Sequence, residues 1–143
     1  MKKYILLLIT ILATIRITAQ NNENFYFSNL NLKDGLSQIS VIKIFQDTKG
    51  FIWFATRNGL NRYDGSEFVI YKHDPKDSLT LSDNHIWTLA EDNDRNLWVG
   101  TARGLNKIDL KTNCITSFID ERYGAFAKSE VRSLTVDSRN RRR

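Results

Sequence analysis

Between Val41 and Tyr71 the apolar residues fall into four short runs, each closed by residues that favour turns. This pattern predicts strands over Val41–Gln46, Phe51–Thr56, Leu60–Tyr63 and Glu67–Tyr71. Asp47-Thr48-Lys49-Gly50, Arg57-Asn58-Gly59 and Asp64-Gly65-Ser66 supply the turns. Glycine reaches positive φ without penalty there, and Asp or Asn side chains bond the nearby backbone. With connections this short, all neighbouring strands are antiparallel hairpins. The second run, Phe51-Ile52-Trp53-Phe54-Ala55, is apolar without alternation, which requires cover on both faces of the sheet.

The same pattern then recurs. Leu36–Asp64 lies over Leu81–Asp109 without a gap at an offset of 45 residues. Identical pairs are Leu36/Leu81, Ser37/Ser82, Asp47/Asp92, Trp53/Trp98, Thr56/Thr101, Gly59/Gly104, Leu60/Leu105, Asn61/Asn106 and Asp64/Asp109. A third copy begins at the same offset, with Val131, Leu134 and Asp137 under Ile86, Leu89 and Asp92, and gives way to Arg141-Arg142-Arg143. Four strands per unit with a period of about 40–45 residues is the mark of a β-propeller blade. The expected fold is therefore all-β: a partial β-propeller of about two and a half four-stranded blades with a 45-residue period. Its expected parts are an N-terminal strand at 25–35, blade repeats at 36–80 and 81–125, and a truncated third repeat at 126–143. Closed propellers have roughly four to eight blades, so this length implies a fragment with an uncovered apolar blade face.

Composition changes the picture at the two ends. The formal charge is +5, from 21 basic and 16 acidic residues. Seven of the basic residues, Lys2, Lys3, Arg16, Arg139, Arg141, Arg142 and Arg143, are terminal, leaving 14 basic against 16 acidic in the body. Net charge thus gives no support to nucleic-acid binding. Residues 1–19 read as a signal peptide, with Lys2 and Lys3 before an apolar stretch that is too short to span a bilayer. Ala19 marks the expected cleavage point, and an uncleaved leader would instead act as an anchor. A single cysteine, Cys114, excludes an internal disulfide, and its ordinary place is a buried or half-buried small apolar site.

The blocks Asp47–Asp64 and Asn96–Asp109, DTKGFIWFATRNGLNRYD and NLWVGTARGLNKID, resemble two-component regulator propeller repeats. The segment Phe27–Leu36, FSNLNLKDGL, is similar to the opening of the periplasmic sensors that such repeats build in hybrid two-component histidine kinases. The resemblance implies a non-catalytic, ligand-sensing module of a signal-transduction protein, exported to the periplasm, with no cofactor. In a full-length relative it further implies an oligosaccharide ligand, a homodimer, an inner-membrane helix and kinase output. Membrane attachment would come only through downstream segments or an uncleaved leader.

The alternative is a fragment of an exported carbohydrate-active propeller enzyme, which needs a paired acid and base. Asp74 with Asp77 and Asp92 with Asp94 can be written as such pairs, but Asp92 repeats Asp47 and is explained as a turn former. No metal-ligand cluster, HExxH, GxSxG or phosphate-binding glycine loop occurs in the sequence. His73-Asp74-Pro75 reads as a turn with a solvated imidazole. The turns between second and third strands and the blade-to-blade connection open on one face, where loops can vary on a rigid scaffold. That face supplies the candidate ligand residues Arg57, Asn58, Arg103, His85 and Trp87. Trp53, Trp98, Asp47, Asp92, Gly59 and Gly104 are read as structural repeat residues. Trp87 does not repeat: Ile42 and Arg132 hold its equivalents, which makes it an inter-blade contact or an aromatic platform for a sugar.

Overall fold

The computed structural model describes residues 29–119, 122 and 129–136. The leader at 1–19, the first part of the strand expected at 25–35, Asp137 and the terminal arginines lie outside the described residues. Two four-stranded antiparallel sheets follow one another along the chain. The first blade comprises β1 (Val41–Gln46), β2 (Ile52–Thr56), β3 (Gly59–Tyr63) and β4 (Phe68–Tyr71). The second comprises β5 (Ile86–Glu91), β6 (Asn96–Thr101), β7 (Gly104–Asp109) and β8 (Ile115–Phe118). Each is a simple meander in chain order, as short connections require. The four strands of the first blade match the expected ones to within one residue at each end.

Alternation along the strands sends the two sides of blade 1 to different fates. Phe45, Trp53, Ala55, Leu60 and Tyr71 join Ile86, Leu89, Leu97, Val99, Ile108 and Ile115 in one core between the blades. On the other side Phe68 meets Phe54 and Tyr63 at ring-centre distances of 5.7 and 4.7 Å and the Gly35 turn lies against it, but among the described residues no second sheet stacks upon this face. The repeat makes the contrast quantitative: Ile44 is 61% exposed, whereas its equivalent Leu89 is 2% exposed beneath blade 1. The apolar face expected to be open is therefore on blade 1. Polar bonds clasp the blades at the end carrying the β1–β2 and β5–β6 turns. There Glu91 accepts from Thr48 N–H at 2.8 Å and from its hydroxyl at 2.7 Å, and the Lys49 ammonium donates to the Leu110 carbonyl.

Nearly every identity between the repeats resolves into a bond that both blades make. Asp47 accepts from Trp53 Nε1 at 2.8 Å and Asp92 from Trp98 Nε1 at 2.7 Å, linking the first turn of each blade to its second strand. Asn61 and Asn106 are fully buried and accept from the Ser37 and Ser82 amides at 2.8 and 2.9 Å. The same serines meet the hydroxyls of Thr56 and Thr101, which donate onward to the Gly59 and Gly104 carbonyls. Each of these buried polar side chains thus finds a partner, as burial demands. Gly59, at φ 115°, is held by two further constraints. Its amide bonds to the next connection, and a Cβ would lie 2.8 Å from the Tyr71 carbonyl.

Four expectations are corrected. The C-terminal part of the strand expected at 25–35 is a single 3-10 turn, Leu32–Asp34. Asn31 and Asp34 cap one another's backbone there and Gly35 turns out at φ 104°, so local side-chain bonds win over extension. The third repeat shows no strand among its described residues, only an isolated bridge at Val136. Its Val131 is nonetheless buried, and the Val131 amide bonds to the Thr101 carbonyl at 2.9 Å. His73 is half-buried rather than solvated: its Nδ1 lies 2.6 Å from the Leu81 carbonyl, stapling the ends of its loop. Cys114 is exposed, because it follows Asn113 (φ 60°) at the tip of the β7–β8 hairpin rather than on a packed strand.

Candidate functional site

The end of the blades opposite the Asp–Trp pairs is built by a repeating exchange of backbone bonds. The turn from β2 to β3 holds Arg57, Asn58 and Gly59, and the Gly59 amide donates to the Asn84 carbonyl at 2.8 Å. The turn from β6 to β7 holds Ala102, Arg103 and Gly104, and the Ala102 amide donates to the His85 carbonyl at 3.0 Å. Asn84 and His85 are consecutive, so the two arginine-bearing turns lie on either side of one dipeptide. The pattern continues, since the Gly104 amide donates to Ser129, the repeat equivalent of Asn84. All five residues expected at a ligand-facing end are brought into one arc by these bonds.

Each turn is braced from below through its backbone, and in blade 1 through the Asn58 side chain as well. The Arg57 amide donates to Gln38 Oε1 at 2.9 Å, and Asn58 Nδ2 donates to the Ser37 carbonyl at 3.2 Å. The Arg103 amide donates to the Thr101 hydroxyl at 3.1 Å. Arg57, Asn58 and Arg103 are exposed. Lys72 runs over the Gly59 turn and adds a further cation. The acidic groups nearby are Asp83, which accepts from the His85 amide at 2.7 Å, and Glu130, which pairs with Arg132 at 2.6 Å.

Trp87 occupies a β-bulge. The β5–β6 register slips between Ile86 and Thr88, and β1–β2 slips at the equivalent place, between Val41 and Lys43. A bulge leaves one residue unpaired and re-aims its side chain, so Ile42, Trp87 and Arg132 stand at matching positions of successive units. The guanidinium of Arg132 lies 4.8 Å from the Trp87 ring centre, and the His85 ring 4.0 Å from it. Trp87 is thereby an inter-unit contact, and its ring carries two neighbours instead of an open platform. Trp87 Nε1 and His85 Nε2 are buried without a hydrogen-bond partner among the described residues. Sequence reasoning passed over Arg132 because its repeat equivalents are apolar; the mismatch at offset 45 was itself the available signal.

Two grooves lie elsewhere. One of about 430 Å³ separates the first turns of the blades and is lined by Gln46, Thr48, Glu91 and Arg95. The other, about 500 Å³, runs under the connection from His73 to Ser82 and against Ser117. Neither is lined by the arginine-bearing turns. The carboxylates once paired on paper are structural. Asp74 and Asp77 accept from the Lys76 and Leu79 amides, and Asp92 accepts from Trp98, Asn96 and Asp94. Burial pushes the Asp92 carboxyl up, but those donors outweigh it and hold the group below the usual carboxylate range.

Comparison with known proteins agrees with this architecture. A curated histidine kinase of Formosa agariphila, Histidine kinase P4, is 50% identical over 68 residues, 48% of this chain. The chain spans only 5% of that relative's length. The extracellular domain of a putative hybrid two-component system from B. thetaiotaomicron is 22% identical over 76% of this chain and 22% of that one, with a TM-score of 0.42. The extracellular domain of a putative one-component system from the same organism is 30% identical over 55% of this chain and 11% of that one, with a TM-score of 0.47. The family model described as the two-component regulator propeller matches at 35–58 and 80–103, the stretches that hold the Asp–Trp and Ser–Thr pairs of each blade. Each blade of this chain thus carries one stretch that is similar to a two-component regulator propeller repeat.

Proposed function

We propose that this chain is a non-catalytic, extracellular sensing module of a two-component signalling protein, and that it recognises an oligosaccharide. One observation carries the reading. The polar residues shared by the two repeats are used up in holding the blades, while the residues that differ, Arg57, Arg103, Trp87 and Arg132, gather at one end. A rigid scaffold with variable polar side chains on one face suits recognition. The relative named as a histidine kinase supports a signalling context. In a longer protein the chain would lie in the periplasm, act within a homodimer and pass ligand binding to a kinase across the membrane. Binding moves such a receptor only if the ligand prefers one of its two states. Catalysis on carbohydrate would need a free acid and base, and the Asp92 and Asp47 carboxylates are engaged by tryptophan N–H groups.

The test is calorimetric titration of the purified chain against a panel of neutral and acidic oligosaccharides, with amino acids and nucleotides as controls. Saturable binding of at least one oligosaccharide, without its cleavage, is expected. Turnover of any sugar in the panel, or binding confined to the non-carbohydrate controls, refutes the reading.

A further inference from the structure

We propose that the arc formed by Arg57, Arg103 and Arg132 binds an anionic oligosaccharide, one bearing carboxylate or sulfate groups; this rests on the sensing role above and assigns its ligand class. The arc joins two turns that flank the Asn84–His85 dipeptide through the bonds from Gly59 and Ala102, so their arginines reach out from neighbouring points of one surface. Neither Arg57 nor Arg103 has an ion-pair partner among the described residues, and Lys72 adds charge beside them. Arginine presents a planar fork of donors that matches a carboxylate or sulfate edge, which a neutral hydroxyl does not need.

A second observation points the same way. The His85 and Trp87 rings lie 4.0 Å apart, and Trp87 Nε1 and His85 Nε2 are buried and without a partner among the described residues. A buried indole N–H in that state calls for an acceptor. The group that lies over Trp87 is the Arg132 guanidinium, whose partner Glu130 is itself 47% exposed. An exposed ion pair of this kind is weak and exchanges readily. An anionic sugar takes the place of Glu130 on Arg132, draws that guanidinium off the ring and gives Trp87 Nε1 an acceptor.

The experiment titrates the full chain with trigalacturonate as the carboxylate probe, a heparin-derived tetrasaccharide as the sulfate probe, and maltotriose as the neutral control, following heat and tryptophan fluorescence. At least one anionic probe binds, and its affinity falls as salt is raised from about 50 to 500 mM. Arg57→Ala and Arg103→Ala each weaken binding about tenfold, the scale of one charge-assisted contact, and leave the thermal midpoint unchanged. Trp87→Phe abolishes the fluorescence response while heat is still released. Whether the carboxylate or the sulfate probe binds names the group. Equal or tighter binding of maltotriose, or full affinity in the Arg57→Ala/Arg103→Ala double variant, overturns the inference and leaves the sensing role standing. Binding of no glycan at all overturns both.

Discussion

Asp92→Asn removes the acceptor oxygen that Trp98 Nε1 and Asn96 Nδ2 share in the repeated framework. The substitution keeps a side-chain oxygen for the Asp94 and Asn96 amides, both at 3.0 Å, but turns an N–H group toward Trp98 Nε1, which now donates to Asp92 at 2.7 Å. Trp98 is 6% exposed, so water cannot take over the lost acceptor. Leaving one buried donor unmatched costs about 1–3 kcal/mol, and Asp92→Ala, which releases the turn amides as well, about 3–5 kcal/mol. Against a total stability of about 5–15 kcal/mol for a domain, either change is readily measured in a urea titration at pH 7. The pH dependence is a sharper check. The folded-state pKa of Asp92 is held below its ordinary value of 3.8. Its contribution is therefore present above that ordinary value and lost as pH falls through the folded value. The stability gap between the wild-type chain and Asp92→Asn should be constant from pH 5 to 7, on the scale of roughly 1–3 kcal/mol, and close below about pH 4. A gap that persists unchanged at pH 2.5, or no gap at pH 7, refutes the bond as a stabilising element.

Other positions test the same reasoning. Gly59→Ala combines φ 115° with a Cβ 2.8 Å from the Tyr71 carbonyl, whereas Gly65→Ala has φ 103° and open space; calorimetry should show a loss of about 1–2 kcal/mol for Gly65 and a clearly larger one for Gly59. Arg95, at φ 67°, stands where blade 1 has Gly50 at φ 91°; Arg95→Gly should raise the urea midpoint, by up to about 1 kcal/mol. Leu89→Ala, in the inter-blade core, should cost about 2–5 kcal/mol, while Ile44→Lys at the equivalent exposed place should leave stability nearly unchanged and reduce light scattering at high concentration. The Asp64 carboxyl, held to about 2 by bonds from the Glu67 amide, the Ser66 amide and the Ser66 hydroxyl, should titrate near that value by NMR and move up in Ser66→Ala.

The blades were legible in the chain because strand formation here is a local matter. Alternating apolar runs and Asp or Gly turns specify each hairpin, and the 45-residue repeat specifies that one blade covers the next. Repetition also separated structural residues from variable ones before any coordinate was known. Asp47/Asp92 and Trp53/Trp98 are identical because each pair shares a hydrogen bond within its own blade. Other features depend on contacts between segments that no local pattern encodes. The repetition of Asn61 as Asn106 marks a structural position, but not that both bury themselves to receive the amides of Ser37 and Ser82, 24 residues upstream. Nor does His73 announce that it staples Leu81. Leu32–Asp34 reads as alternation, yet turns because Asn31 and Asp34 bond the backbone at close range. The bulge at Trp87, and with it the Arg132 contact, follows from register, which is set by pairing between strands and not by the composition of either. Fold and framework were therefore written in local spacing, whereas the arc of cations exists only once consecutive units are stacked and their turns bond to the same dipeptide.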